Sequence, residues 1–324
     1  MTELFTPRYG RKAPHPESTH PRMHAASFLA TGYTGVVPAT VDWFSGVTFG
    51  MSLNDQIGDC TIADVAHAIG AFSKWGQGQE AMVPDADVLA MYERVGGYRP
   101  SDPSTDNGCV IQDVLGDWRR NGIGSPVHKI LAFFQVNYQD PAELKACTWL
   151  FGGCTLGVNF PKSAMAQFNA GVPWDYDPNA DNTIEGGHDV RLLGVSAAGN
   201  YYVVTWGRVQ MMTPAWLNRF VEEAWAQADE EWIKNNTSPT GLDYAALDAA
   251  YTQVTHQPGP FTATTPPPGP PPNPTPPVVI SVEQAAANSS LAAAARAYIQ
   301  GRHWTAEAKA MQKELAFWLA AWRL

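Results

Sequence analysis

Eleven of the chain's 26 prolines crowd into residues 258–277, around the run PPPGPPPNPTPP, and no packed element can pass through such a stretch. Proline lacks a backbone donor and holds φ near its polyproline II value, so the run predicts a semi-rigid spacer rising about 3.1 Å per residue. The spacer separates a long body from a short tail. We expect an extended N-terminal arm over residues 1–37, a body over 38–256, the linker over 257–280 and a helical hairpin over 281–324. The tail opens with Ser281 and Gln284 in capping-box spacing. Its second helix places Ala308, Met311, Leu315, Trp318 and Trp322 on one stripe. About 44 residues cannot bury two tryptophans well, so these helices are expected to dock on a protein partner or to self-associate.

Within the body the helical patterns come first and the strand patterns follow. Residues 60–75 carry Ile62, Val65, Ala66, Ile69 and Phe72 at helical spacing. Further helices are expected near 85–95, 110–121, 141–151 and 213–230, the last capped by Thr213 with Pro214 in its first turn. The segments HKILAFFQV, CTLGVNF, HDVRLLGV and NYYVVTW read as strands, the last two paired antiparallel through the turn at Ser196–Gly199. Helices segregated from strands predict an α+β fold, not an alternating parallel sheet.

The formal charge of −10 and a pI near 5.2, with no basic run, argue against nucleic-acid binding. No stretch approaches the roughly 18 apolar residues of a membrane span, and the polar, proline-bearing N-terminus does not read as a secretory signal. A soluble chain of the bacterial cytoplasm or of a phage virion is the expectation. The four cysteines, at 60, 109, 147 and 154, contain no C-x-x-C spacing, so free thiols are expected, and no cofactor or metal site.

The chemistry concentrates in two places. Gly58–Asp59–Cys60 turns into the amphipathic helix and sets a thiol at its N-terminus, where unpaired N–H groups and the helix dipole favour the reactive thiolate. A side-chain amide a few residues upstream can join the Cys60 backbone N–H as the second donor of an oxyanion hole. Far along the chain, Gly186–Gly187 leads into a strand with His188 at its mouth. A cysteine at a helix start and a histidine at a strand start form the usual thiol-hydrolase pair. Cys109, Cys147 and His67 read as core residues.

The ordered set VPATVDW, GDCT, GGHDVRLLGV and YYVVTWG resembles the papain-like cysteine peptidases over about residues 37–230. Their pattern is P-x-x-x-D-W, a Gln before G-S-C-W, a H-A-V strand and an Asn-Ser-Trp-Gly strand. The Gly-Asp-Cys-Thr and Thr-Trp-Gly segments, followed by Met212–Thr213 and a helix through Trp216, Phe220, Ala224 and Trp225, resemble the divergent bacterial and phage members. The resemblance implies a two-lobe fold with a helical lobe and an antiparallel β lobe. It implies Cys60 as nucleophile and His188 as general base, within hydrogen-bonding reach across the cleft. The oxyanion amide falls at Asn54, with Gln56 as the other candidate. Matching Trp206–Gly207 to the family's Trp-Gly puts Val204 where the orienting Asn belongs, which leaves Thr205, a carbonyl or a water to hold the imidazole. Alternation along the strand points Asp189 to the other face.

These residues imply a peptidase or amidase acting on a peptide or protein through an acyl-enzyme. The displaced Asn supports another reading, a papain-like structural protein such as a virion component. A peptidoglycan endopeptidase, with the tail as docking element, is a third.

Overall fold

The computed structural model describes residues 7–15, 36–233, 237–255 and 259. The expectations for the linker and the helical tail fall outside the described residues. Helix α1 (Cys60–Gln77) is buried on nearly every face from Cys60 to Ser73, which marks a central helix rather than a surface one. It ends where Gly78 takes a left-handed φ of 78° and returns its N–H to the Lys74 carbonyl. Helices α2 (Asp85–Gly96) and α3 (Ile111–Arg120) pack beside it, burying Val88, Met91 and Tyr92 from one and Ile111, Val114, Leu115 and Trp118 from the other.

The rest is mainly antiparallel sheet. Strand β1 (Val41–Asp42) precedes the helices; β2 (Ile130–Gln135), β3 (Cys154–Pro161), β4 (Ile184–Val195), β5 (Tyr201–Thr205), β6 (Arg208–Met212) and β7 (Val221–Asp229) follow them. They lie in the order β2-β7-β3-β4-β5-β6, with β1 paired to the far end of β4. Helices α4 (Pro141–Leu150) and α5 (Lys162–Ala170) flank β3 in sequence, α6 (Pro214–Phe220) precedes β7, and α7 (Tyr244–Thr255) follows it. Helix α1, which opens with the cysteine of one pattern, rests on β4, which carries the histidine of the other. β4 and β5 pair antiparallel as expected, with Ser196 and Asn200 closing the turn.

One expected element is overturned. The helix predicted over 213–230 stops at Phe220, and Val221–Asp229 is a strand between β2 and β3. The segment VEEAWAQAD is rich in good helix formers, but pairing Phe133 with Gln227 and Thr155 with Trp225 completes two strands at once. Tertiary pairing outweighs the tenths of a kcal/mol per residue that separate helix propensities.

Beneath the junction lies a buried polar knot. The fully buried Arg191 of β4 donates to Gln227 Oε1 at 2.7 Å and to Thr155 Oγ1 at 3.2 Å, and lies 3.7 Å from the Asp64 carboxylate of α1. Asp64 also accepts from Thr155 at 2.6 Å. Arg191 and Thr155 of the sheet together hold Asp64 of the central helix.

Candidate active site

The turn into α1 is fixed from outside the helix. Asp106 accepts the Gly58 N–H at 2.9 Å and the Tyr92 hydroxyl at 2.6 Å, tying the turn to α2. Asp59, at the N-cap position, makes no side-chain cap; its Oδ1 accepts instead from Asn54 Nδ2 at 3.3 Å. Asn54 is buried beside the turn and also reaches the Ile57 carbonyl at 3.4 Å, whereas Gln56 is exposed. Of the two amides read from the sequence, the structure sets Asn54 next to the cysteine's turn.

On the other side, His188 of β4 is 0% exposed. Its Nε2 lies 2.7 Å from Thr205 Oγ1. Val204 is a buried core residue paired with Arg191, and it is the hydroxyl one position along that contacts the imidazole. With the proton on Nε2, Thr205 accepts it and the lone pair of Nδ1 is left facing away; Nδ1 has no hydrogen-bond partner among the described residues. The Trp206 ring stacks on the imidazole at 4.4 Å and 15°. Trp206 gets there through strain: it sits at φ 45° and Gly207 at φ 67°, the two positive angles of a primed hairpin turn between β5 and β6. Asp189 faces the Arg191 knot, and both of its carboxylate oxygens lack a hydrogen bond.

The structure sets Cys60 at the start of the helix that rests on β4, the strand of His188, and does not join the two side chains. No hydrogen bond links the sulfur to the imidazole. The expectation of a bonded pair is corrected, and so is that of a thiolate at the helix start. Cys60 is 2% exposed, and burial pushes its thiol well up, with the nearby Asp189 carboxyl adding to the rise. The N–H groups of Gly10 and Asp189 favour the thiolate, but by less. Burial drives the His188 imidazole down to about 3, helped by the Arg11 charge. Both groups are therefore neutral.

Sequence reasoning expected an extended arm over residues 1–37 but missed where part of it lies, with the Gly10 N–H against the Cys60 thiol and Arg11 charged beside His188. Residues 9–12 run extended through the cleft: Arg11 N–H donates to the Gly187 carbonyl at 2.9 Å, Cys109 N–H to Gly10 at 2.8 Å, and Lys12 N–H to Cys109 at 2.8 Å. The Tyr9 ring lies edge-on to His188 and Trp206, and its hydroxyl donates to Glu185 at 2.9 Å. The glycines predicted to open β4 make room for this segment, since a Cβ on Gly187 would lie 2.1 Å from the Arg11 carbonyl oxygen. A peptide lying in a groove has no periodicity of its own, so nothing in residues 1–37 signalled it.

His67 is the core histidine that its helical position suggested. Its Nε2 lies 2.9 Å from the Gly50 carbonyl, and burial lowers it to about 4. A histidine depressed in the fold stabilises fully above its unfolded value near 6.5 and loses that contribution as pH falls toward about 4. The buried aspartates, whose carboxyls are raised, act in the opposite sense, so the effect is read as a difference. The stability of the native chain minus that of His67→Gln is expected to fall by about 1.4 kcal/mol per pH unit below 6.5. Parallel urea midpoints from pH 7 to 5 for the two chains would contradict it.

No protein-family model and no curated protein matches the chain. Solved structures do. Xylellain, a cysteine protease from Xylella fastidiosa, matches 70% of this chain and 99% of its own at 16% identity and a TM-score of 0.51. Digestive procathepsin L 3 from Tenebrio molitor larval midgut matches 68% of this chain and 76% of its own at 11% identity and 0.49. Procathepsin B S9 from Trypanosoma congolense matches 69% and 87% at 12% identity and 0.49. The likeness to xylellain shows that the mixed helical and antiparallel body has the papain-like fold.

Proposed function

We propose that the chain is a papain-like thiol hydrolase of the bacterial and phage kind, in which Cys60 is the nucleophile, His188 the base, Asn54 an oxyanion donor and Thr205 the positioning residue. The observation that carries this reading is the Thr205 contact to His188 Nε2 at 2.7 Å under the Trp206 ring, which leaves Nδ1 without a partner among the described residues, on the strand against which the Cys60 helix packs. A side chain that only filled the core would not need an imidazole held at one ring nitrogen with the other left unpartnered.

In this scheme the thiol gives its proton to Nδ1, and the sulfur attacks the carbonyl carbon of an amide. The oxyanion takes the Cys60 backbone N–H and the Asn54 amide, once that amide leaves Asp59. His188 protonates the departing amine, leaving a thioester on Cys60. Water then attacks the thioester, His188 takes its proton, and the sulfur leaves as the product acid forms. The neutral, buried state of Cys60 and His188 makes the chain latent while residues 9–12 fill the cleft.

The burial of the thiol also favours a second reading, a catalytically silent papain-like protein of a virion. Hydrolysis separates the two. Cleavage of casein or of purified peptidoglycan that stops when Cys60 alone is alkylated supports the hydrolase and sorts its amide substrates. No cleavage of either by a chain whose arm has been displaced supports the silent protein.

A further inference from the structure

Among the described residues of the arm, Arg11 is the most completely enclosed charge. Its side chain is 1% exposed, with one guanidinium nitrogen 2.7 Å from Glu223 Oε1 and the other 2.5 Å from Glu222 Oε2 and 3.3 Å from Asn159 Oδ1. Both carboxylates are pre-oriented by groups of the body. Glu223 Oε2 accepts the Trp225 indole N–H at 2.8 Å, and Glu222 Oε1 accepts the Asn159 amide. Gly157 clears the way for the arginine stem, since a Cβ there would lie 2.9 Å from Arg11 Cδ. The position before the arginine is equally selective. A Cβ on Gly10 would stand 1.6 Å from the Gly58 carbonyl oxygen, and one on Gly108 would stand 1.8 Å from the Gly10 carbonyl oxygen.

We propose that Glu223, Glu222 and Asn159 form an arginine-recognition subsite, that the substrate class of the cleft is a peptide with arginine next to glycine, and that Tyr9–Lys12 is the chain's own occupant. A guanidinium fork satisfies two carboxylates at once, which a lysine ammonium cannot do in the same plane. Emptied, the pocket would leave the buried Glu223 with the Trp225 indole but no counter-charge, near Asp189, whose carboxyl has no hydrogen bond among the described residues. Such a pocket selects for a cation to fill it. The backbone bonds to Gly187 and Cys109 supply affinity without sequence preference, so selection falls to the arginine pocket and the glycine-only step. This deepens the hydrolase reading and rests on it for whatever follows binding.

The test uses the full chain carrying Arg11→Ala, which vacates the pocket. The probes are fluorescein-labelled acetyl-Tyr-Gly-Arg-Lys-amide and its twin with alanine for arginine, read by fluorescence anisotropy. The arginine peptide is expected to bind at least about tenfold tighter than its twin, and adding Glu223→Gln should erase the difference. The unaltered chain should bind the arginine peptide at least about tenfold more weakly than Arg11→Ala does, because the arm competes. Equal affinity for the two peptides, or no binding of either to a variant that retains its circular dichroism, overturns the proposal. If Arg11→Ala fails to fold, Arg11→Gln takes its place in the same titration. Anisotropy reads binding alone, and chromatography of the same two peptides after incubation reads cleavage: a peptide bound through arginine but never cut sinks the hydrolase reading alone, and cleavage indifferent to arginine sinks the subsite alone.

Discussion

With the arm displaced, Cys60→Ser is expected to lower amide hydrolysis by roughly a thousandfold or more while leaving the thermal midpoint almost unchanged. Removing one member of a nucleophile–base unit costs about as much as removing the whole unit, because the members act together. Serine keeps the volume but presents a far less acidic hydroxyl to a base that matches a thiol. His188 needs a gentler replacement than alanine. It is fully buried against Trp206, Phe160 and Tyr9, so truncation would open a cavity and confound the reading. His188→Gln holds the space and should cost a similar factor in rate. Thr205→Val keeps the shape and removes only the partner of Nε2. The imidazole then loses its fixed tautomer, and the rate should drop by about 10²-fold, the scale of a misplaced catalytic group. Thr205→Ser should recover most of it. Full activity in Cys60→Ser or His188→Gln would move the site elsewhere.

The second large effect concerns stability. Arg191→Ala is expected to destabilise the body by about 3–5 kcal/mol, because the Asp64 carboxylate and the Gln227 amide oxygen lose the group that faces them in the interior. Burial already pushes the Asp64 carboxyl up, and the Arg191 charge is what draws it back. For a body of this size the loss corresponds to a thermal midpoint lower by roughly 10 °C or somewhat more. Adding Asp64→Asn to Arg191→Met should restore much of it, since a neutral pair carries no uncompensated charge. A drop below about 1 kcal/mol in Arg191→Ala would mean that water reaches Asp64 and that the knot is not what clamps α1 to β4.

The sequence made some of this architecture readable and hid the rest for physical reasons. The helix at Cys60 and the strand at His188 announce themselves because each carries a strong period and a local start signal. The turn at Trp206–Gly207 was visible only as a dipeptide match. That match pointed to Val204, while backbone strain at Trp206 and the hydroxyl of Thr205 settle how the imidazole is held. The strand at Val221–Asp229 reads as helix by composition, since only its two neighbours reveal that it must be extended. Glu222 and Glu223 fall in that segment, and the sequence does not reveal that the strand buries Glu223 on Arg11. The thiolate expected at the helix start rested on a local dipole argument. Desolvation overrides it, since Cys60 is buried, although the Gly10 N–H some fifty positions away in sequence pulls the other way.

The most direct measurement is the rate at which iodoacetamide alkylates Cys60 at pH 6, resolved by peptide mass spectrometry, in the unaltered chain and in Gly10→Ala. The added methyl would meet the Gly58 carbonyl oxygen at 1.6 Å, so the arm cannot seat while Arg11 and the whole site remain. In the unaltered chain Cys60 should label as slowly as the buried Cys109, Cys147 and Cys154. In Gly10→Ala it should label at least about a hundredfold faster than those three, since only a thiolate stabilised by an imidazolium reacts readily at that pH. Cys60 labelling at the same slow rate in both chains would contradict the account, because an uncovered cysteine with no reactivity is not a nucleophile paired with His188.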